Sequence, residues 1–136
     1  MRITVLTYVE GKERSTEYDP VVMQVVRALR RQGHQVAILG VHADVKRVLA
    51  GLQRRRPDLV FNLVEMFAEN MFGDIAMEGL LDLLGLKYTG CGPGESYLTQ
   101  DKALSKKLLA FHGILYPRFA VFARDADLET GGNLRM

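Results

Sequence analysis

Hydrophobic and polar positions change period several times along the chain, and each change marks an element. Residues 2–8 (RITVLTY) are β-branched and aromatic and predict a strand. Residues 9–18 are polar and predict a loop. Asp19 and Pro20 then form an N-cap with proline in the first turn, and Val22, Val25, Val26 and Leu29 recur at helical spacing. Gly33 suits the left-handed residue that closes such a helix. A second strand is predicted over 35–39. A second amphipathic helix follows over 42–53, carried by Val45, Val48, Leu49 and Leu52 and ended by Arg54, Arg55, Arg56 and Pro57.

Residues 59–64 (LVFNLV) are nearly continuous in apolar side chains, the pattern of a strand buried on both faces of a parallel sheet. A third helix is predicted over 74–84, with Asp74 as its N-cap, Ile75, Met77, Leu80, Leu81 and Leu84 facing inward, and Gly85 at its end. Residues 87–89 predict a short strand and residues 90–94 (GCGPG) a glycine-rich turn. Residues 95–112 predict a helix in two pieces meeting near Thr99, closed by Gly113. Pro117 precedes a last predicted strand over 119–122, and residues 124–136 are a polar tail.

Strand and helix alternate throughout, and crossover helices of this length imply parallel strands. The expected fold is α/β: a Rossmann-like, doubly wound, mainly parallel sheet with helices on both faces. Residues 1–123 are expected to form that domain. In such sheets ligands sit at the carboxyl ends of the strands, which marks the loops 9–18, 65–73 and 90–95.

Composition narrows the class. The chain has 136 residues, 48% of them hydrophobic and 25% charged, which suits a globular domain and excludes wholesale disorder. Eighteen basic residues face sixteen acidic ones, and a net charge of +2 gives no reason to expect nucleic acid or an anionic membrane as partner. One cysteine, Cys91, excludes an intrachain disulfide. A reducing, cytoplasmic location is expected.

The three loops hold the candidate chemistry. Glu10, Glu13 and Glu17 share the first with Lys12 and Arg14, and a carboxylate there could hold a substrate amine; a solvated loop explains the same residues. Glu65 directly follows the apolar strand, where side chains enter the crevice of an open α/β sheet. The turn at 90–94 could bind an anion through its amides, or simply turn. It lacks the Gly-Lys-Ser/Thr of a phosphate-binding loop. Cys91 has no histidine near it in sequence, and His34, His42 and His112 lack metal-ligand spacing. The three consecutive arginines complement the end of a helix dipole. Lys102 and Lys106 share a helix face, for which solvation is sufficient explanation.

Three segments together carry a family resemblance: residues 57–65 (PDLVFNLVE), residues 79–92 (GLLDLLGLKYTGCG) and residues 101–122 (DKALSKKLLAFHGILYPRFAVF). They are similar to the amino-terminal part of D-alanine–D-alanine ligases and related ATP-grasp ligases, and Glu17-Tyr18-Asp19 adds to the likeness. The resemblance implies the Rossmann-like lobe that precedes an ATP-grasp domain. It implies that Glu17 holds the amino group of the first substrate, that Glu65 is a further substrate-side acid, and that Lys102 reaches the nucleotide phosphates. The implied reaction joins a carboxylate to an amine through an acyl phosphate, using ATP and Mg²⁺, in building the cell wall peptidoglycan.

Departures accompany the likeness. Where the ligases carry His-Gly and Gly-Glu-Asp-Gly steps, residues 66–74 read MFAENMFGD, and only Asp74 fits. Cys91 replaces a usual serine and Lys87 a common proline, and residues 9–16 lack the ligases' glycine-rich loop. Nothing after residue 122 can supply an ATP-grasp domain or its metal ligands. The chain is therefore expected to be a piece of a longer ligase, with 124–136 beginning a linker. Alone it is expected to hold no metal or cofactor, to contain no catalytic residue and to be inactive. The rival expectation is a standalone α/β binding or dimerisation module, a homodimer without catalysis.

Overall fold

A computed structural model of the chain describes residues 1–9, 18–70 and 72–121. It divides into two compact units, Met1–Gly94 and Glu95–Met136.

The first unit contains β1 (Arg2–Tyr8), α1 (Pro20–Arg31), β2 (Gln35–Val41), α2 (Val45–Arg55), β3 (Leu59–Leu63) and α3 (Gly73–Leu83). The strands form a parallel sheet in the order β2-β1-β3. Central β1 pairs Ile3 with Val36 on one side and with Leu59 on the other. Alternation along the strands sends neighbouring residues to opposite faces. On one face Val5 meets Val22 and Val26 of α1, with Tyr18, Ile38 and Phe61 packed beside them. On the other, Leu6, Leu39, Val41 and Val60 meet Val48 and Leu52 of α2 and Met77 and Leu81 of α3. Helices thus cover both faces, as the expected α/β class requires.

Local signals set the helix ends. The Asp19 carboxylate accepts from the Val21 amide at 2.7 Å, with Pro20 in the first turn. Gly33 has φ +80°, the left-handed conformation that glycine adopts without a Cβ clash. α2 starts later than predicted because Asp44 caps it, accepting from the amides of Lys46 at 2.9 Å and Arg47 at 3.3 Å. Strand β2 correspondingly runs on to Val41, which pairs with Tyr8.

Three local expectations are corrected. Asp74 does not cap α3. The cap is Phe72, and the Asp74 carboxylate lies inside the first turn, accepting from the Ile75 amide at 2.8 Å. Gly73, now the first residue of the helix, fits so closely against Phe67 that a Cβ there would stand 2.4 Å from the Phe67 nitrogen. Residues 87–89 form a single parallel bridge, Tyr88 with Val60, instead of a strand. The Val60 amide donates to the Lys87 carbonyl and the Thr89 amide to the Val60 carbonyl, but the next donor, the Asn62 amide, goes to Thr89 Oγ1 at 3.1 Å and ends the ladder. Residues 119–121 form no strand, because they have no paired neighbour among the described residues.

In the second unit α4 (Pro93–Gln100), which begins at the unit boundary, and α5 (Lys102–Phe111) are the predicted helix in two pieces. The break falls at Asp101, whose carboxylate accepts from the Leu104 amide at 2.9 Å and so caps α5. The Ser105 hydroxyl ties the two together by donating to the carbonyl oxygens of Leu98 and Asp101. Lys106 Nζ lies 5.0 Å from the centre of the Phe119 ring, a cation–π contact. Among the described residues no helix is long and apolar enough to cross a membrane.

Candidate functional site

Strands β1 and β3 end side by side and open onto a cleft of about 330 Å³. Thr7, Tyr8, Leu63 and Val22 form its walls, and Asp19 and Glu65 its acidic rim. The position follows from topology, since parallel strands flanked by helices leave their carboxyl ends as the open edge.

Asn62 shapes the exit of β3. Its Oδ1 accepts from the Val64 amide at 3.2 Å, turning the chain beyond Leu63. Buried Val64, 6% exposed, anchors that turn in the core, and the next residue, Glu65, is left exposed at the cleft. Thr7, 6% exposed, donates its hydroxyl to the Tyr8 carbonyl at 3.4 Å. Asp19 has less to offer a ligand, since its carboxylate already holds the Val21 amide.

The predicted site residues fare differently. Glu65 lines the cleft. Glu17 lies outside the described residues, though its neighbour Tyr18 packs on the α1 face of the core and Asp19 lines the cleft. Lys102 is the first residue of α5, exposed, immediately after the capping Asp101. It belongs to the second unit.

Two residues passed over by the sequence reasoning, Asn62 and Glu78, bear on the same edge of the sheet, as does Thr89 beside the glycine turn. Asn62 turns the end of β3, and Thr89 latches the start of the glycine turn to it. An asparagine inside an apolar strand is the signal that could have found the first. Glu78 is a carboxylate buried on α3, 7% exposed, and its Oε1 lies 3.9 Å from where a Cβ on Gly90 would stand. Its placement between Met77 and Leu81 on the buried face was the available signal. Gly90 itself has φ +112°, so the turn needs a glycine there, and Cys91 beside it is exposed. Among the described residues no three His, Cys, Asp or Glu side chains gather as metal ligands.

Comparison with known proteins bears on the whole chain. No protein-family model matches it. The D-alanine–D-alanine ligase of Rhodospirillum rubrum is 37% identical over 95 residues, 69% of this chain and 28% of that enzyme. The ligase of Moorella thermoacetica is 36% identical over 107 residues, 79% of this chain and 32% of the enzyme. That of Bordetella petrii is 34% identical over 124 residues, 86% and 35% of the two chains. Among solved structures, the Bacillus anthracis D-alanine–D-alanine ligase complexed with ATP shares the fold. The TM-score is 0.55 at 20% identity, over 97% of this chain and 45% of that one. The chain spans about a third of the length of the curated relatives it matches. It is a homologue of the D-alanine–D-alanine ligases, corresponding to a segment of those longer enzymes.

Proposed function

We propose that this chain is the substrate-side lobe of an ATP-dependent carboxylate–amine ligase of the D-alanine–D-alanine type, inactive on its own. The homology to named ligases over most of the chain carries the reading. The cleft supports it, because it lies where an open α/β sheet receives ligands and has Glu65 on its rim.

In this reading Glu17, one residue before the anchored Tyr18, orients the ammonium of an amino acid in the cleft, and Glu65 adds a second negative charge beside it. A carboxylate–ammonium pair is a charge-assisted hydrogen bond that fixes direction as well as position. Fixing the amine relative to the second substrate converts a two-body encounter into a one-body step. Lys102, at the first turn of α5, fits a phosphate oxygen: it is exposed, cationic and set at a helix end whose amides favour anions. ATP supplies the phosphoryl group that activates the carboxylate when the full ligase binds it. The reading assigns Mg²⁺ to the rest of such an enzyme. The setting implied is peptidoglycan precursor synthesis in the cytoplasm.

The test uses the pure 136-residue chain. With ATP, Mg²⁺ and D-alanine it releases no ADP. D-alanine alone shifts amide resonances at Thr7, Leu63 and Glu65, and the Glu17→Gln variant binds roughly tenfold more weakly, as expected for one lost charged hydrogen bond. ADP release overturns the assigned inactivity. D-alanine binding unchanged by Glu17→Gln overturns the role of the loop acid. A dimer in light scattering that binds neither D-alanine nor ATP favours the binding-module alternative.

A further inference from the structure

The opposite edge of the same sheet carries a second cleft. It has a volume of about 610 Å³ and lies where the carboxyl ends of α2 and α3 converge on the start of β1. Leu52, Leu84, Leu86 and Pro57 make one wall apolar, and Arg2 and Arg56 supply the charge. Leu52 is 2% exposed, so the apolar wall is continuous with the core.

The two arginines are not equivalent. Arg2 is committed. Its guanidinium donates to Asp58 Oδ1 at 2.8 Å, and its backbone amide donates to Asp58 Oδ2 at 2.7 Å. Hydrogen bonding to Asp58 raises the Arg2 pKa, and the same bonds lower that of Asp58. The guanidinium of Arg56 has no hydrogen-bond or ion-pair partner among the described residues.

Arg56 also has an uncommon backbone, φ +43° and ψ +61°. Its amide closes α2 by donating to the Leu52 carbonyl at 2.9 Å. Glycine or asparagine performs that closure with less strain, and an arginine there costs about 1 kcal/mol in backbone conformation. Dipole complementarity does not require it, since Arg54 and Arg55 already occupy the last turn. Arg55 is engaged with the carbonyls of Gly51 at 3.1 Å and Ile38 at 3.2 Å. What Arg56 adds is an uncommitted guanidinium against an apolar wall.

We propose that this cleft is a second binding site, for a small amphipathic anion: one carboxylate or phosphate head group on an apolar body. The Arg56 fork pairs with the head group, whose geometry it matches in two parallel hydrogen bonds. Leu52, Leu84 and Leu86 cover the body. The site lies at the amino-terminal ends of the strands, away from the cleft at Glu65, and is independent of the ligase reading.

The test titrates the isotope-labelled chain with phenyl phosphate and with 3-phenylpropionate, following amide shifts, with inorganic phosphate as the control. Saturable shifts centred on Leu52, Arg56 and Leu86 are expected, and the tighter probe identifies the head group. Inorganic phosphate is expected to bind at least tenfold more weakly than phenyl phosphate, because it buries no apolar surface. Arg56→Gly is expected to weaken both organic probes roughly tenfold without lowering Tm, since glycine accepts the backbone conformation. Arg56→Asn repeats the measurement in a second background that tolerates the same conformation. Absence of saturable shifts overturns the proposal. So do shifts centred on Thr7 and Leu63, unchanged binding in both variants, or inorganic phosphate binding as tightly as phenyl phosphate.

Discussion

Helices α1, α2 and α3 each bury apolar side chains against the sheet: Val22 and Val26, Val48 and Leu52, Met77 and Leu81. Helices α4 and α5 bury none, although Leu104, Leu108 and Phe111 stand at helical spacing, and Phe111 is 83% exposed. The same periodicity therefore has two outcomes. In the first unit a sheet face receives the apolar stripe, and packing stabilises the helix. In the second unit the described contacts are of another kind: the Asp101 cap, the Ser105 hydrogen bonds and Lys106 over the Phe119 ring. Apolar spacing predicts a helix more securely than it predicts a core.

The largest effect expected to separate the units comes from truncating the core. Leu81→Ala removes a fully buried side chain and should cost about 2–5 kcal/mol in urea unfolding. Phe111→Ala should change the same measurement by less than about 0.5 kcal/mol. Equal costs would break the contrast. Gly73→Ala comes next, at about 1–3 kcal/mol, because its Cβ would overlap the Phe67 backbone. Gly79→Ala, on the same helix with nothing within 4 Å of the new Cβ, should instead stabilise by about 0.5–1 kcal/mol. A loss at both positions would mean that α3 tolerates no added bulk anywhere. Asp101→Ala should cost about 1 kcal/mol and lower the helical signal in circular dichroism, since a cap matters most where packing is thin.

The smallest expected effect is a pH dependence. The Asp58 carboxyl, hydrogen-bonded by Arg2, ionises below its usual 3.8. The folded state therefore binds fewer protons than the unfolded state through that range. The pair contributes stability that is present above pH 3.8 and lost as pH falls through the lowered value. Both groups are exposed, so the contribution is small and screened by salt. Asp58→Asn should flatten the acid limb of a Tm-against-pH curve, and an unchanged slope would show that the pair is idle.

Much of the fold was legible because short-range chemistry decided it. The limits of β1, the Asp19 cap and the left-handed Gly33, Gly85 and Gly113 follow from side chains that act within a few residues. The start of α3 was misplaced because Asp74, a residue type that caps helices, lies inside the first turn instead, and the contact of Gly73 with Phe67 has no periodicity to reveal it. The strand expected at 87–89 shrank to one bridge because the Thr89 hydroxyl took the donor that a further rung would have used. The cleft was legible as a rule about parallel sheets, and Glu65 as a consequence of that rule. Asn62, which turns the chain toward Glu65, required the hydrogen bond itself to be seen. Arg56 was read as one of three equivalent cations, and only its backbone angle and lack of a partner set it apart.

The central position of β1 has a consequence for how the chain is made. Of the three strands it is synthesised before the other two, yet Ile3 needs Val36 on one edge and Leu59 on the other. Until β3 and then α3 emerge, a nascent chain exposes Val5 and Leu6, which end fully buried, on a strand with two open edges. Translation speed between β1 and α3 thus sets how long a sticky segment waits for its partners, at elongation rates of about 5–20 residues per second. A pause placed before β3 has emerged should raise aggregation, whereas one placed after α3 has emerged should be harmless, because by then the sheet can close.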